Sequence, residues 1–587
     1  MQEQPDKIQG LFFKRPVFFI LLLSMLLTLP WIGISDFYTK GEPREASLVV
    51  SMINDGNWIL PKGYADEIAY KPPLMHWIIA GFSEITGHVS EATSRLPSAL
   101  GLIGITMFTL VFLIRRKTKI EAVLSALILL TCFEMHRNGI EARVDMTLAF
   151  FMSVALIEMF KWEEKGLRGF PVLLVILLGC ASLVKGPVGV ILPCFVFGIY
   201  LLVLKYPFGK VLLKNVIVAI PALFILFIWY FVAWKQEGNH FLTIVYAENI
   251  GRFFGMKSDA LGINYDLGHE GPFWYYIPAI LAGLLPWSLI LLFAFFTFGY
   301  KKWWRKVKEQ RYLWFRHFAS MDKITLFSII AILVFLFFYS IPISKRSVYI
   351  LPIYPFASFL LARVILWAGK VRPSLIHLLS NILLTLVALI LLLTGFAHFI
   401  NISDIVAPFV TSLKTSYDIA LFAKYFQNPN WSGFLLWLIL LVVFILVLNR
   451  QRTKNARMLI FSIFILFISL QVFLEGTAYP VFKNGHSVKH FASELSATYN
   501  LKNDAYVVND LRFYGNLYGL NFYLGNVFKN FEKELPSHGY LIIGEKDLPV
   551  LRKKYTGRYS FVETKRTNCP YYNEMDDEVI VCKIIKF

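Results

Sequence analysis

The chain has 587 residues, of which 57% are hydrophobic and only 17% are charged, and its formal net charge is +19. The mean hydropathy of +0.57 excludes an ordinary soluble domain and indicates a membrane protein. The positive charge is dispersed among short polar segments, so nucleic acid is not an expected partner.

Apolar runs recur along the chain, and most are long enough for a helix to cross the roughly 30 Å of hydrocarbon in a bilayer. We expect the first run to be an uncleaved span, because it exceeds the apolar region of a signal peptide and lacks a clear cleavage site. The sequence predicts a polytopic α-helical membrane protein with about thirteen spans, near residues 13–35, 96–114, 120–134, 144–160, 170–184, 187–204, 212–234, 273–298, 324–342, 348–367, 374–399, 432–449 and 458–475.

The orientation of these spans follows from the basic residues between them. If the N-terminus lies inside, every cluster of Lys and Arg falls on the inner side, as the positive-inside rule requires. An odd number of spans then places residues 476–587 on the outer side. The inner clusters lie at residues 14–15, 115–119, 161–168, 205–214, 301–308, 370–372 and 450–457.

The first outer loop, residues 36–95, is too polar to lie in lipid. It begins with GEPREA and continues with apolar residues at helical spacing, which predict a short amphipathic helix ending at Gly56. YKPPLMHW, residues 70–77, then sets a lysine before two prolines where the chain becomes apolar again. Acids and bases gathered at a membrane edge indicate chemistry on a charged substrate that resides in the membrane.

Charged residues also mark the other outer ends of the spans. Basic residues on this side oppose the topological bias, so we expect them to have an anionic partner. The residues at the outer ends are Glu42, Arg44, Glu45, Lys71, Glu141, Arg143, Asp145, Lys185, His269, Glu270, Lys345 and Arg346.

Several of these residues have an alternative structural interpretation, which the sequence leaves open. Asp145 could be a helix-start acid or a partner of Arg143, and Lys185 could be an interface lysine that extends to the water. The adjacent cations Lys345 and Arg346, with Tyr349, suit a phosphate or diphosphate but also suit an interface anchor.

His269 precedes Gly-Pro at the start of a span, a position suited to a metal or a ligand. A single histidine is more often a hydrogen-bonded interface residue, and no second ligand at a typical spacing supports a metal. The sequence therefore requires no cofactor and leaves a divalent metal open.

The last segment, residues 476–587, is less apolar and predicts a small α/β domain on the outer side. SVKHFASELSATYN and DLPVLRKKY predict helices, whereas AYVVND, YLIIGE and EVIVCKIIKF predict strands. Cys569 and Cys582 lie in this segment, and an oxidising compartment would permit a disulfide between them, which the sequence does not settle.

Seven motifs, in order between the spans, resemble those of the aminoarabinose-transferase-like membrane glycosyltransferases of the protein O-mannosyltransferase superfamily. They are GEPREA, DGNWILP, YKPPLMHW, ARVDMTLAFF, LVKGP, HEGPFWYY and KRSVYILPIYP. The resemblance implies a GT-C fold in residues 1–475 and transfer of a sugar from a polyprenyl-phosphate carrier, with inversion, on the periplasmic side of the bacterial inner membrane. The acceptor would be a lipid, a glycan or a protein.

The resemblance also assigns roles to individual residues. Glu42 and Asp145 match the acids of the family, and His269 matches a histidine that resembles a metal ligand in some members. Lys71 matches the lysine before the prolines, and Lys345, Arg346 and Tyr349 match the outer phosphate-binding segment. Arg44, Arg143 and Lys185 are further candidate substrate-binding residues. Gly41 and Tyr70 depart from acids of the family pattern, so the resemblance does not extend to the sugar or to lipid A.

Two other functions remain open from the sequence. A transporter or flippase for lipid-linked sugars would share the spans and charges, but we find no repeated halves. A ligase for polyprenyl-linked glycans would also be multi-span, although its main soluble loop is expected between late spans.

Overall fold

The computed structural model describes residues 14–256, 270–297, 321–452, 455–508, 517–567 and 578–587. Within these ranges, seven helices are long and apolar enough to cross a membrane, and four shorter apolar helices accompany them. The chain is therefore a polytopic α-helical membrane protein with a small C-terminal sheet. The count of thirteen spans stays a prediction.

Local signals set the ends of several helices. The Ser90 side chain accepts a hydrogen bond from the backbone N–H of Thr93, and the Ser90 backbone N–H donates to the Thr93 hydroxyl, a capping box that starts a long span. Gly56, at φ +68°, ends the amphipathic helix of the outer loop where the sequence predicted its end. The helices up to residue 254 are α1 (Pro16–Thr28), α2 (Gly41–Asp55), α3 (Leu74–Thr86), α4 (Glu91–Ile114), α5 (Lys119–Thr131), α6 (Phe133–Gly139), α7 (Val144–Glu164), α8 (Val172–Lys185), α9 (Val188–Val203), α10 (Phe208–Glu237) and α11 (Asn239–Tyr246), followed by the short turns Ala247–Gly251 and Arg252–Phe254.

The second half of the helical part contains long apolar helices and several short ones. The helices are α12 (Tyr276–Gly283), α13 (Leu289–Phe296), α14 (Lys323–Ser340), α15 (Tyr354–Val371), α16 (Pro373–Phe399), α17 (Leu413–Gln427), α18 (Trp431–Arg450), α19 (Ala456–Gly476) and α20 (Ala478–Gly485). A 3₁₀ segment, Ser347–Ile353, leads into α15.

Two predicted spans differ from the structure. The span at 273–298 is divided into α12 and α13, because Pro286 lies between them and a proline has no N–H for a helical hydrogen bond. The span at 120–134 ends earlier, at Thr131, since Cys132 adopts an extended conformation before α6 begins. Both breaks shorten helices that the hydropathy pattern alone joined.

The helices that carry the outer-loop chemistry pack against one another. α7 packs on α4 and α8, and α8 packs on α10. α3 packs on α2 in the outer loop and on α4 at the membrane edge. This arrangement brings the start of α7, the end of α8 and the two loop helices to the same edge of the helical bundle.

The C-terminal segment forms a five-stranded mixed sheet in the order β2-β1-β3-β5-β4. β1 is parallel to β2 and β3, whereas β5 is antiparallel to β3 and β4. Its elements are α21 (Lys489–Thr498), β1 (Ala505–Val507), α22 (Tyr518–Tyr523), β2 (Lys529–Asn530), the turn Phe531–Glu534, β3 (Tyr540–Gly544), α23 (Leu548–Lys554), β4 (Tyr559–Arg566) and β5 (Val579–Lys586).

The predicted strands β1, β3 and β5 and the helices α21 and α23 are present, while β4 and the two-residue β2 were not predicted. Cys582 lies buried in β5, and Cys569 lies outside the described residues.

The sheet packs directly against the first outer loop. Tyr64 and Ala65 of this loop belong to the same apolar cluster as Val507, Ile542 and Val581 of the sheet. The backbone N–H of Ala65 donates to the carbonyl of Phe528 at 3.2 Å. The loop is thus held between the membrane helices and the C-terminal sheet.

Candidate functional site

Glu45, near the start of α2, is the centre of a buried cluster of charges. Its Oε1 accepts hydrogen bonds from Lys71 Nζ at 2.5 Å and from Arg44 Nη2 at 3.0 Å. Its Oε2 lies 2.8 Å from Nε2 of His76 in α3. The prolines after Lys71 fix the chain just before α3, so the lysine is set opposite Glu45 of α2.

The electrostatics keep this cluster charged. Burial by itself would raise the pKa of Glu45. The charges of Lys71 and Arg44 lower it by more than burial raises it, so the pKa lies well below its ordinary value. The same carboxylate contributes to a pKa of Arg44 well above the ordinary arginine value, despite burial. Glu45 is therefore an anion that two cations hold in place.

Asp145 and Lys185 form a second pair beside this cluster. Lys185, the last residue of α8, donates to Oδ1 of Asp145 in the first turn of α7. The ammonium of Lys185 also lies 4.2 Å from the centre of the Tyr349 ring. Gly186, at φ +85°, follows the lysine and turns the chain toward α9, as the Gly-Pro motif predicted.

The Glu45 cluster and the Asp145–Lys185 pair are electrostatically connected, because the charge of Asp145 also stabilises the ammonium of Lys71. Tyr70 packs against both cations of the Glu45 cluster, with its ring centre 5.4 Å from the guanidinium of Arg44 and 5.4 Å from Nζ of Lys71. Three cations thus share two carboxylates at one membrane edge, an arrangement that leaves positive charge to meet an anion.

Glu42 has a different environment, and the structure places it away from this cluster. It is fully buried, and its carboxylate accepts from Arg95 Nε at 2.7 Å, Arg95 Nη2 at 3.2 Å and the backbone of Ala142 at 3.0 Å. Because the residue is fully buried and both of its oxygens are hydrogen-bonded, Glu42 has no exposed atom to contact a substrate. The geometry does not fit the role that the resemblance assigned to this residue, since Arg95 of α4 holds it in the interior.

Lys345 also differs from its predicted role. Its side chain is buried, and Nζ donates to the carbonyls of Ser340, at 2.9 Å, and of Pro342. These carbonyls belong to the end of α14, where the last C=O groups lack helical partners, so the lysine satisfies them. These contacts use two of the three donors of the buried ammonium.

The remaining predicted residues surround the two pairs. Arg143 forms an ion pair with Glu141 at 2.8 Å, a partner that the sequence did not predict. Arg346 is exposed, and its backbone N–H donates to the Tyr276 hydroxyl at 3.3 Å.

His269 lies outside the described residues, and the described ranges contain no group of three His, Cys, Asp or Glu side chains that could hold a metal ion. The divalent metal stays a prediction.

A separate groove of about 580 Å³ lies on the other side of α2, between the α3–α4 turn and the C-terminal domain. Glu91 is in its wall, where it accepts from the Tyr523 hydroxyl at 2.9 Å and from Lys489 at 3.0 Å. These contacts join the outer loop to α21 and α22.

Glu45, His76 and Tyr70 belong to the cluster, but the sequence alone gave none of them a catalytic or binding role. The available signal for Glu45 was its position beside Arg44 in GEPREA.

Comparison with known proteins bears on this arrangement. Residues 70–234 match the family described as dolichyl-phosphate-mannose-protein mannosyltransferase. A protein of Enterobacter sp. (strain 638), named undecaprenyl phosphate-alpha-4-amino-4-deoxy-L-arabinose arabinosyl transferase, is 29% identical over 353 residues, which are 59% of this chain and 58% of that protein. An uncharacterized protein of Aquifex aeolicus (strain VF5) is 27% identical over 68% of this chain and 81% of its own length.

The fold comparison covers nearly the whole chain. The crystal structure of ArnT from Cupriavidus metallidurans bound to undecaprenyl phosphate superposes with a TM-score of 0.65 at 16% identity, over 96% of this chain and 97% of that chain. The resemblance to aminoarabinose-transferase-like proteins is confirmed. The chain has the GT-C fold, and its match spans a little over half of the Enterobacter relative.

Proposed function

We propose that this chain is an inverting glycosyltransferase that moves a sugar from a polyprenyl-phosphate carrier to an envelope acceptor. The observation that carries the proposal is the convergence of Arg44, Lys71 and Lys185 on two carboxylates at the outer edge of the bundle. A lipid-linked donor stays in the bilayer, so its phosphate must be met at such an edge. The names of the relatives support the same donor class.

The chemistry asks for stabilisation of a leaving phosphate. An acceptor oxygen would attack the anomeric carbon from the face opposite the phosphate, and the bond from that carbon to the phosphate oxygen would break. The carrier phosphate would leave with the electron pair, and the cations would stabilise its growing charge, the largest catalytic contribution expected at such a site. Preformed ion pairs need little reorganisation when the phosphate arrives.

Asp145 is the acid that we assign to the acceptor. It would orient the attacking group or accept its proton, and a phosphate acceptor would require little base strength. Glu42 is fully buried and paired with Arg95, so the acid of the first outer loop that we place near the reaction is Glu45, which holds Lys71. Arg143, Arg346 and Tyr349 complete the proposed binding surface.

The proposal includes the topology. We place the helical part in the bacterial inner membrane with its N-terminus in the cytoplasm, and residues 476–587 in the periplasm as a separate domain. In a background without the native cysteines, a cysteine at Asn500 should react with an impermeant thiol reagent in intact cells, and one at Lys165 should not. Equal labelling would contradict the orientation.

Two experiments test the activity. The purified parent protein in detergent should bind bare undecaprenyl phosphate.

In cells, the envelope lipids and glycans of a deletion strain should lack one sugar when they are analysed by mass spectrometry. Restoring the parent gene should restore the sugar, whereas Asp145→Asn should not. A protein that moves the lipid-linked sugar across vesicles and never transfers it would instead be the transporter alternative.

A further inference from the structure

His76 lies behind the charged cluster, in the first turn of α3. Its side chain is 1% exposed, that of Glu45 is 4% exposed, and that of Lys71 is 18% exposed. The three side chains therefore form a line that runs from the protein interior to the membrane edge. Only the lysine at its outer end is open to a ligand.

The hydrogen bonds fix the direction of this line. Glu45 is an anion and can only accept, so Nε2 of His76 must carry the proton that lies between them. Nδ1 of His76 is buried and has no hydrogen-bond partner among the described residues. The hydrogen bond from Nε2 is therefore the one that the described residues give to this ring, and Oε2 of Glu45 accepts it.

The carboxylate divides its oxygens between the two sides. Oε2 meets His76, which leaves Oε1 for Lys71 and Arg44. An ammonium has three donors, and the described structure gives one of those of Lys71 to Glu45. Two donors remain for phosphate oxygens.

We infer that His76 is a positioning residue, which fixes the carboxylate of Glu45 so that Lys71 stands ready for the carrier phosphate. The inference rests on the proposed function, because it needs a phosphate at Lys71. Without the hydrogen bond from His76, the carboxylate can rotate and Lys71 loses its fixed place. The phosphate then has to order the lysine as it binds, which weakens binding.

A merely structural histidine would give a different result from a positioning one. His76 fills a buried space between α2 and α3, so its replacement could reduce stability without any effect on the donor. The test therefore measures two quantities for each variant: the affinity for bare undecaprenyl phosphate and the melting temperature in detergent.

The variants separate hydrogen bonding from volume. His76→Gln can place an amide N–H where Nε2 lies, whereas the shorter side chain of His76→Asn cannot reach Glu45, and His76→Phe keeps the ring without a donor. We expect the Phe and Asn variants to bind the carrier about tenfold more weakly. The Gln variant should bind within about twofold of the parent, whatever its melting temperature.

A double variant shows whether His76 acts through the lysine. Lys71→Met alone should weaken carrier binding, and adding His76→Asn should cause no further loss. Independent losses that add would overturn the inference, as would parent-like binding by both His76→Asn and His76→Phe. If the parent does not bind the carrier, the proposed function fails. If the parent binds and only Lys71→Met weakens binding, the role of His76 alone is wrong.

Discussion

Glu42 and Glu45 lie within one turn of α2, yet they have opposite surroundings. Glu42 faces the interior, where one arginine and one backbone N–H occupy its carboxylate. Glu45 lies between the partly exposed cations Lys71 and Arg44 and the buried ring of His76, and all three share its carboxylate. The motif GEPREA thus combines an acid that joins helices with an acid that organises cations, and a single sequence cannot show which is which.

The largest expected effect concerns the interior pair. Arg95→Leu would leave Glu42 buried without its partner, and removing one member of a buried ion pair costs about 3–5 kcal/mol. We expect a large fall in the melting temperature of the purified protein in detergent. Arg116→Leu is the control, since it breaks a half-exposed pair with Glu164 and should cost less than about 1 kcal/mol.

The double variant Arg95→Leu/Glu42→Leu sharpens the same comparison. Replacing both charges with apolar groups should recover much of the lost stability, because no unpaired charge stays buried. Parent-like melting of Arg95→Leu alone would contradict the structural role that we give to Glu42.

The second prediction tests the acid assigned to the acceptor. Asp145→Asn keeps the shape and removes the charge, so turnover should fall by about 10² or more while the protein inserts and purifies normally. Glu158→Gln, on the same helix, removes a partly exposed partner of Lys161 and should leave turnover unchanged. Transfer of sugar to the acceptor is measured for both, and equal rates would return Asp145 to a purely structural role.

The third prediction concerns the outer cation of the Glu45 cluster. Lys71→Met should weaken binding of bare undecaprenyl phosphate by roughly 1.5–3 kcal/mol, the contribution of a charged hydrogen bond. Lys71→Arg should restore it only in part, because a planar fork does not replace a compact ammonium. Lys62→Met is the matched control, since this loop lysine pairs with Glu237 and lies outside the cluster. Unchanged affinity in Lys71→Met would place the phosphate elsewhere.

The smallest expected effect separates the adjacent cations of the KRSVY segment. Arg346 is exposed, so Arg346→Ala should weaken carrier binding only a few-fold, and added salt should reduce the difference. Lys345→Met should leave carrier affinity unchanged and lower the melting temperature, because the ammonium serves the end of α14. A loss of affinity greater in Lys345→Met than in Arg346→Ala would contradict this geometry.

Much of the fold could be predicted because its signals are local. Gly56 ends α2, Gly-Pro follows Lys185, and runs of Val and Ile form β3 and β5. β4 was missed because three of its eight residues, Glu563, Lys565 and Arg566, are charged and half of the strand is exposed. Such an edge strand lacks the apolar alternation that identifies a strand in a sequence.

The site was predictable in position but not in pairing. Asp145 and Lys185 were both named, and the structure places them in contact. The pairing of Glu42 with Arg95 depends on how α2 packs against α4, which no spacing in the sequence reveals. An arginine within the fourth helix was the available signal, since a charge among apolar residues needs a partner.

The docking of the outer loop onto the C-terminal domain has a consequence for biosynthesis. Tyr523, whose hydroxyl accepts from the backbone N–H of Phe37, is made 486 residues after it. At about 5–20 residues per second, the loop waits roughly 25–100 s for this partner. During that time the binding surface for Tyr64 and Ala65 does not exist. A ribosome that stops early therefore leaves an inserted chain with an uncovered loop, which proteases at the membrane surface can distinguish from the finished protein.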